Sequence, residues 1–340
     1  MPSDIAPENI SVVLLYNVNP EWTPEEKSEV IKQSAGLEEA LQKTGYPTCS
    51  VCVTHSDIGS YLRELDPEKH IIFNWCEDLP GVKHGEWLVA KKLEEMGYTF
   101  TGADSAALAL AQDKQRIKMI LEQASVPTPA WRIFNTPDGQ GWTIFPAIVK
   151  PQSEHCSAGI TPESVVLNQN DLKERISFIL TQYGQPALVE DFIDGREFHV
   201  AVWGNENVSV LPAAEMDFSS FRNIRDRLCS YEAKFIPGSQ HYEEITTLLP
   251  APLTCEEKAA LEKVCLDAYR ATGCRDYARM DIRLRNNVFY VLDVNPNADI
   301  SSDASMACAA EAAGITFAGM GSHIVQLAVR RHPTLSKRKK

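Results

Sequence analysis

The chain has 340 residues, with 33 Lys or Arg against 46 Asp or Glu, which gives a formal net charge of −13. This excess of acid disfavours nucleic acid as a partner. We see no apolar run that reaches the ~18 residues needed to span a membrane. The length predicts about two or three domains, enough to bury sizeable cores.

The first ten residues, MPSDIAPENI, hold two acids and no Lys or Arg, unlike a secretory or organellar leader. Nine cysteines, an odd number, are typical of reduced thiols in a cytoplasmic enzyme. The close pair Cys49 and Cys52 lies in a predicted strand, whose period of two points the thiols to opposite faces. We therefore expect a soluble, cytoplasmic protein without a membrane partner.

The first hundred residues alternate between strand and helix patterns. Strands are predicted over 10–16, 48–54, 70–75 and 98–102, and amphipathic helices over 24–45 and 85–97. Connections of this length are too long for hairpins. The alternation therefore predicts a parallel sheet with crossover helices.

The pattern then becomes mixed. A helical stretch over 104–125 ends before two prolines, and the strands WRIF and FPAIVKP follow. The segment 164–203 reads strand, helix, strand, strand. Residues 215–250 are polar without a clear period, and a loop of this length is usually functional or disordered. A helix over 254–272, a hairpin over 275–294 and two Ala-rich helices complete the chain.

The hairpin carries the most chemistry. A two-residue turn would pair Arg285 with Val288, whereas a three-residue turn would pair Arg285 with Phe289 and place Asp281 opposite Asp293. In the second register the apolar residues share one face, namely Met280, Ile282, Leu284, Tyr290, Leu292 and Val294. The period of two therefore predicts the three-residue turn.

The opposite face of the hairpin would carry Arg279, Asp281, Asp293 and Asn295. Two carboxylates opposite each other destabilise a sheet, and a hard divalent cation would remove that penalty. Two Asp and one Asn provide oxygen ligands that suit Mg²⁺. The hairpin alone leaves two interpretations open: a magnesium site, or a solvated polar face neutralised by Arg279 and Arg283.

Seven motifs in order resemble the D-alanyl-D-alanine ligase branch of the ATP-grasp superfamily. They are FNW with GEWLVAKKLEEMGYTFTG, DK at 113–114, FPAIVKP, LVEDFIDGREFHV, YEAKF, YARMDIR and DVNPN. The resemblance implies an α/β ATP-grasp fold, with an N-terminal parallel α/β subdomain and two α+β subdomains that clamp ATP. The boundaries it implies are 1–103, 104–190 and 191–333, with a basic tail over 334–340. It also implies a homodimer.

The resemblance assigns nucleotide-binding roles. Lys114 and Lys150 would hold the ATP phosphates, a task suited to a compact point charge. Ser157 lies in the expected phosphate-covering loop. Glu190 would face the adenine, and Glu197 would face the ribose hydroxyls, because carboxylates accept hydrogen bonds from amino and hydroxyl groups. The backbone that meets the base includes Phe192 and Ile193.

The resemblance also assigns the catalytic metal and its neighbours. Asp281, Asp293 and Asn295 correspond to the magnesium ligands, of which the middle one is usually Glu, so Asp293 shortens one ligand arm. One or two Mg²⁺ ions are expected, with Mn²⁺ as a substitute. Arg279 would stabilise the tetrahedral intermediate, and Lys234 would close over the γ-phosphate on a mobile loop.

The implied reaction transfers a phosphoryl group from ATP to a carboxylate, and an amine then attacks the acyl phosphate to give an amide, ADP and phosphate. No nucleophilic side chain is needed. Two alternatives stay open: an ATP-grasp phosphotransferase, which forms no amide, and a nucleotide-binding protein without turnover, which releases no ADP.

The substrate pockets depart from the family pattern. The Gly-Gly turn and Ser-x-Glu of the family are replaced by YNVNPE over 16–21, and the Pro-Gly-Met-Thr stretch by NADISSD over 297–303. We therefore predict small-molecule carboxylate and amine substrates other than two D-alanines. The candidate substrate residues are His155, Asp299, Ser301 and Asp303. The two acids favour a cationic or neutral amine donor.

Overall fold

The N-terminal part of the chain builds a four-stranded parallel sheet. The computed structural model describes residues 5–154 and 157–337. The first elements are β1 (Ser11–Asn17), α1 (Pro24–Lys43), β2 (Thr48–Val53), α2 (Ile58–Leu62), β3 (His70–Trp75), α3 (Glu86–Glu95) and β4 (Thr99–Phe100). The strand order is β2-β1-β3-β4, with every pair parallel. The predicted parallel sheet is confirmed, and the short α2 is an element that the sequence reading missed.

Local sequence signals place the helices that bring functional residues to the sheets. Thr23 and Glu26 form a reciprocal capping box that starts α1, with a proline at its first position. The Asp113 side chain accepts from the Arg116 backbone N–H and starts the helix over 114–123. This cap makes Lys114 the first helical residue, and its Nζ donates to the Glu154 carbonyl oxygen.

The central part of the chain forms an antiparallel sheet. Its elements are α4 (Ser105–Ala111), α5 (Lys114–Gln123), β5 (Trp131–Phe134), β6 (Ala147–Pro151), β7 (Val165–Val166), α6 (Gln169–Gln182) and β8 (Ala187–Asp191). The strand order is β5-β8-β6-β7. Every residue of β6 and β8 is buried, so charged groups on these strands need partners within the protein.

The C-terminal part of the chain forms a six-stranded antiparallel sheet. Its elements are β9 (Arg196–Trp203), β10 (Ser209–Val210), β11 (Ala214–Asp217), α7 (Tyr231–Phe235), α8 (Gln240–Glu244), β12 (Thr246–Leu248), α9 (Cys255–Ala271), β13 (Tyr277–Arg285), β14 (Val288–Pro296), α10 (Ser305–Ala312) and α11 (Phe317–Val329). The order is β12-β11-β9-β13-β14, and β10 pairs with β9. The polar stretch 215–250, read as a loop, contains α7, α8 and β12.

The hairpin of β13 and β14 corrects the predicted turn. Its turn has two residues, Asn286 and Asn287, both with positive φ (53° and 62°), and Arg285 pairs with Val288. A β-bulge then inserts Leu292, so Asp281 still pairs with Asp293. The expected pairing of the two acids is therefore confirmed, while the three-residue turn is wrong.

The bulge also changes which residues of β14 are in the core. Phe289, Val291 and Val294 pack into the core with Met280 and the other apolar residues of β13. Tyr290 and Leu292, expected in that core, lie on the other face instead. A two-residue turn followed by an extra residue reverses the alternation midway, which a strict period of two cannot show.

One hydrophobic core joins the N-terminal sheet to the C-terminal helices. Leu37 of α1, Phe73 of β3, Tyr277 of β13 and Ile324 of α11 belong to the same buried cluster. The central sheet has a separate core around Leu172. Among the described residues, a membrane-length apolar stretch arises only if α10 and α11 are joined across a bend of 104°. The domain boundaries at 103 and 190 stay predictions.

Asp276 connects distant parts of the chain through one buried carboxylate. It is fully buried, with a positive φ of 62°. Its Oδ2 accepts from the Gly102 backbone N–H at 2.8 Å and from Nη2 of Arg331 at 2.8 Å. Its Oδ1 accepts from Nδ2 of Asn205 at 2.9 Å and from Nη1 of Arg331. The carboxylate therefore holds residue 102, the β9–β10 connection and the end of α11 together.

We expect Asp276→Ala to lower the free energy of unfolding by about 3 kcal/mol. The substitution removes a buried carboxylate that accepts from the buried Gly102 N–H, the half-buried Asn205 amide and the half-buried Arg331 guanidinium. The melting temperature measured by circular dichroism tests this. The matched control is Asp267→Ala, which removes an ion pair with Lys263 on the exposed face of α9 and should change the stability by less than about 1 kcal/mol. Equal effects of the two substitutions would contradict the role assigned to Asp276.

Candidate active site

A cleft with a volume of about 890 Å³ lies between the central and C-terminal sheets. Most of the site residues predicted from the sequence line it: Lys114, Lys150, Ser157, Glu190, Phe192, Ile193, Glu197, Lys234, Arg279, Asp281, Asp293, Asn295, Asp299 and Asp303. Ser301 lies beside the cleft, where its backbone N–H and hydroxyl donate to Oδ1 of Asp299. His155 lies outside the described residues.

A buried carboxylate between two lysines forms the floor of the cleft. Glu190 on β8 is fully buried, with Oε2 at 2.8 Å from Nζ of Lys150 and Oε1 at 2.5 Å from Nζ of Lys118. Burial alone would raise the pKa of Glu190, but the two ammonium groups lower it to about 2. Both oxygens are thus engaged by lysines, so Glu190 holds Lys150 in place, and the adenine contact expected of Glu190 stays a prediction.

Lys150 and Lys114 bring two positive charges to the same end of the cleft. Nζ of Lys150 lies 3.8 Å from Oδ2 of Asp293, and Nζ of Lys114 donates to the Glu154 carbonyl oxygen. Burial lowers the pKa of Lys114, and the nearby charge of Lys150 lowers it further. An anionic ligand between the two ammonium groups would offset this repulsion.

Lys118 connects Glu190, on the floor of the cleft, to the hairpin. The sequence did not predict this role. Its Nζ donates to the Leu292 carbonyl at 2.9 Å and to Oγ1 of Thr128 at 2.8 Å. Leu292 is the inserted residue of the bulge, so a carbonyl freed from the β ladder finds a charged donor. In sequence, Lys118 looks like one more charge on an amphipathic helix, and its burial becomes visible only in the fold.

The wall of the cleft nearest β8 is apolar. Ile148, Ile160, Phe192 and Leu228 all line it and belong to one small cluster. The Arg283 guanidinium lies over the Phe192 ring, 4.6 Å from its centroid, and donates to the Ile193 carbonyl at 2.9 Å. We call this wall, with the Ile193 carbonyl at its edge, the apolar slot. Its apolar side chains and backbone groups suit a flat heteroaromatic ring.

Glu197 lies beside this slot on β9. It is buried, and its Oε2 accepts from Nε of Arg283 at 2.7 Å. Oε1 lies 3.6 Å from Nε2 of His199. Burial would raise the pKa of Glu197, but Arg283 and His199 lower it to about 2. The carboxylate is therefore an ionised acceptor on the cleft wall, and the ribose contact expected of Glu197 stays a prediction.

The polar face of the hairpin collects the candidate metal ligands. Arg279 binds Asp281 through two hydrogen bonds, Nε to Oδ1 at 2.7 Å and Nη2 to Oδ2 at 3.0 Å. Nδ2 of Asn295 donates to the same carboxylate at 3.1 Å. Although burial opposes ionisation, Arg279 and His199 hold the pKa of Asp281 well below its usual range. Asp293 faces Asp281 across the strands.

Two loops meet above the cleft. Oγ of Ser157 donates to the Cys229 carbonyl at 3.0 Å, and the Tyr231 backbone N–H donates to the Ile160 carbonyl at 3.3 Å. The buried Ser230 side chain caps α7, the short helix that carries Lys234. The expected phosphate-covering loop and the YEAKF segment are thus joined, with Lys234 on the cleft wall.

A group of acids lines another part of the cleft wall. Its members are Glu77, Glu86, Asp299 and Asp303. Burial raises the pKa of Glu86 to about 8, and the neighbouring Glu77 contributes to the rise. The sequence reading named the two aspartates but missed the two glutamates, which follow β3 and begin α3. Their place at the carboxyl end of a parallel strand is a signal that could have identified them.

Comparisons with known proteins identify the family of the chain. Residues 122–326 match the family model described as D-ala D-ala ligase C-terminus. The chain is 31% identical over 301 residues to the protein y4sG of Sinorhizobium fredii, covering 86% of each chain. It is 30% identical over 298 residues to the D-alanine–D-alanine ligase of Desulforudis audaxviator, covering 86% of this chain and 91% of that protein.

The fold is also that of a solved ligase. The D-alanine–D-alanine ligase of Bacillus anthracis, crystallised with ATP, aligns with a TM-score of 0.70 at 20% identity, over 95% of this chain and 98% of that chain. With the family model matching more than half of the chain, these relatives confirm the ATP-grasp fold predicted from the motifs. The chain belongs to the D-alanine–D-alanine ligase family, an ATP-binding branch of the ATP-grasp ligases.

Proposed function

We propose that this protein is an ATP-dependent carboxylate–amine ligase that works through an acyl phosphate. The observation that carries the proposal is that α5, β6 and the hairpin bring two lysines and an acid together in the cleft. Lys114 and Lys150 bring positive charge from α5 and β6, and Lys150 lies 3.8 Å from Asp293 on the hairpin. Phosphates held by the lysines would thus lie beside the carboxylates and the guanidinium of the hairpin.

The donor set on the hairpin fits a hard divalent cation. Asp281, Asp293 and Asn295 offer oxygen atoms from one face of β13 and β14, and the two acids face each other across the strands. Oxygen ligands of this kind are those that Mg²⁺ prefers. One or two Mg²⁺ ions, or Mn²⁺, bound by these residues would neutralise charge on the transferring phosphoryl group.

The other residues of the chain have distinct tasks in this proposal. Lys114 and Lys150 bind the phosphates of ATP. Arg279, now paired with Asp281, is held beside the metal ligands, where it can donate to the oxyanion formed when the amine attacks. Lys234 and its loop cover the reacting groups and exclude water, which would otherwise hydrolyse an acyl phosphate.

The acids that line the cleft indicate which substrates to expect. Relatives named D-alanine–D-alanine ligase make that dipeptide the first product to test. The family's signature for holding the substrate amino group is absent from 16–21. Four acids line the cleft: Glu77, Glu86, Asp299 and Asp303. These changes support an amino acid or small carboxylate and a cationic or neutral amine as substrates, rather than two D-alanines.

The proposal predicts phosphate release that depends on a specific pair of substrates. The purified protein is incubated with ATP, Mg²⁺ and a matrix of carboxylates and amines, with D-alanine among both, and phosphate and product mass are followed. We expect a product with the mass of an amide, and a loss of at least about a hundredfold in rate for Asp293→Ala. The matched control Asp267→Ala, on the exposed face of α9, should retain the rate.

Other outcomes of the same assay would contradict the proposal. A phosphorylated product without an amide would make the protein a phosphotransferase. ATP binding without ADP release for any pair would support a nucleotide-binding protein without turnover. A D-alanyl-D-alanine product would overturn only the proposed substrates.

The two acids of the loop after β14 provide a test of amine selectivity. Asp299 and Asp303 are exposed and line the cleft, so they repel a second carboxylate. We expect the double variant Asp299→Asn, Asp303→Asn to shift acceptor preference, measured as the ratio of kcat/KM values, toward amines that carry a carboxylate. An unchanged ratio would mean that these acids do not select the acceptor.

Glu86, at the start of α3, should make the stability of the folded protein depend on pH. The folded-state pKa of Glu86 is about 8, above the ~4.3 of a free glutamate. Its protonated form is therefore favoured by folding, and this stability is lost progressively as pH rises from about 4.3 through about 8. We expect Glu86→Gln to melt close to the wild type at about pH 5 and above it at about pH 9. The exposed-site control Glu256→Gln should show no such difference, and a pH-independent effect of Glu86→Gln would refute the assignment.

A further inference from the structure

Three side chains with metal-binding atoms meet beside the apolar slot, and the ligase reaction does not use them together. An oxygen of Glu197, a ring nitrogen of His199 and the sulfur of Cys229 all lie within 4.8 Å of one another. Oε1 of Glu197 and Nε2 of His199 are 3.6 Å apart. All three residues line the cleft.

The fold explains why these groups converge. Glu197 and His199 are two residues apart on β9, so both point away from the core that holds Phe198 and Val200. Cys229 comes from the loop above, whose backbone is fixed by the hydrogen bond from Ser157. Two rigid attachments therefore hold the cluster.

The donor set differs in kind from the magnesium ligands. One carboxylate, one imidazole and one thiol match the preferences of Zn²⁺ and other borderline divalent ions, whereas Mg²⁺ prefers oxygen alone. In a tetrahedral zinc site, ligand atoms are about 3.3–3.8 Å apart. The separation of Glu197 and His199 already falls in that range, and the sulfur needs a shift of about 1 Å or less.

The surroundings of the cluster supply the remaining features of such a site. Nε of Arg283 donates to Oε2 of Glu197, which leaves Oε1 directed at His199. A fixed outer hydrogen bond of this kind orients a metal ligand. The fourth position is open to water or to Asp281, whose Oδ1 lies 4.0 Å from Nε2 of His199.

We propose that Glu197, His199 and Cys229 form a binding site for a borderline transition metal ion such as Zn²⁺, and that this ion and the nucleotide exclude each other. The mutual exclusion of metal and nucleotide rests on the proposed function, because it requires Glu197 to bind the ribose. A metal-bound Glu197 cannot accept ribose hydroxyls, and an ion at this position fills the edge of the slot. The cluster then makes the enzyme sensitive to inhibition by free zinc.

The metal site is tested first without nucleotide or activity. Zn²⁺ is titrated into the nucleotide-free protein in competition with a chromophoric chelator, and Co²⁺ is added separately as an optical probe. We expect one equivalent of Zn²⁺ to bind and Co²⁺ to give a thiolate charge-transfer band. Cys229→Ser should abolish the band and weaken Zn²⁺ binding at least about tenfold.

A second ligand variant and a control keep the result interpretable. His199→Gln should weaken Zn²⁺ binding to a similar extent, with circular dichroism showing that both variants are folded. Cys308→Ser removes a half-buried thiol near the start of α10 and should leave the band and the affinity unchanged. Wild-type affinity in Cys229→Ser, or a Co²⁺ spectrum without a thiolate band, would overturn the site.

The exclusion of nucleotide is tested with adenosine, which has no phosphates to chelate the metal. We expect adenosine to raise the apparent Kd of the wild type for Zn²⁺ by one plus the ratio of the free adenosine concentration to the Kd of adenosine. Zinc binding that adenosine leaves unchanged, under conditions where adenosine is bound, would overturn the exclusion and the proposed ribose position while the metal site stands. Absent zinc binding would overturn the site and leave the ligase assay unaffected.

Discussion

The arrangement of the cleft depends on a single buried charge. The Glu190 carboxylate has no contact with bulk water, so it remains ionised only because Lys118 and Lys150 lie against it. These lysines come from α5 and β6, and Lys118 also holds the carbonyl of the bulge in β14. The helix α5 and the strands β6 and β14 are thus fixed relative to one acid. Lys150, which is proposed to bind phosphate, and the hairpin proposed to bind the metal are positioned by it.

The cleft carries charges of both signs. Lys114, Lys150 and Arg279 line it together with Glu77, Glu86 and the acids after β14. A polyanion is attracted by the lysines and repelled by the acids, so the local charge around Lys114 and Lys150 matters more for phosphate binding than the net charge of −13.

Much of this was accessible from sequence. Alternating periods identified the parallel sheet, and ordered motifs identified the ATP-grasp fold and the residues on the cleft. Two kinds of feature were not accessible. The bulge at Leu292 was hidden because a two-residue turn and an insertion together give the same acid pairing as a three-residue turn. Lys118 was hidden because burial of a charged side chain is a property of tertiary packing, which periodicity does not report.

The connections made by Asp276 determine which parts of the molecule can move independently. Through this carboxylate, residue 102 and the end of α11 are bound to the C-terminal sheet, and one continuous core lies behind them. The central sheet has its own core, but Glu190 on β8 is tied through Lys118 to the Leu292 carbonyl of the hairpin. A movement of the central sheet against this body would therefore have to break or carry the Lys118 contacts, while the connections of Asp276 could stay as they are.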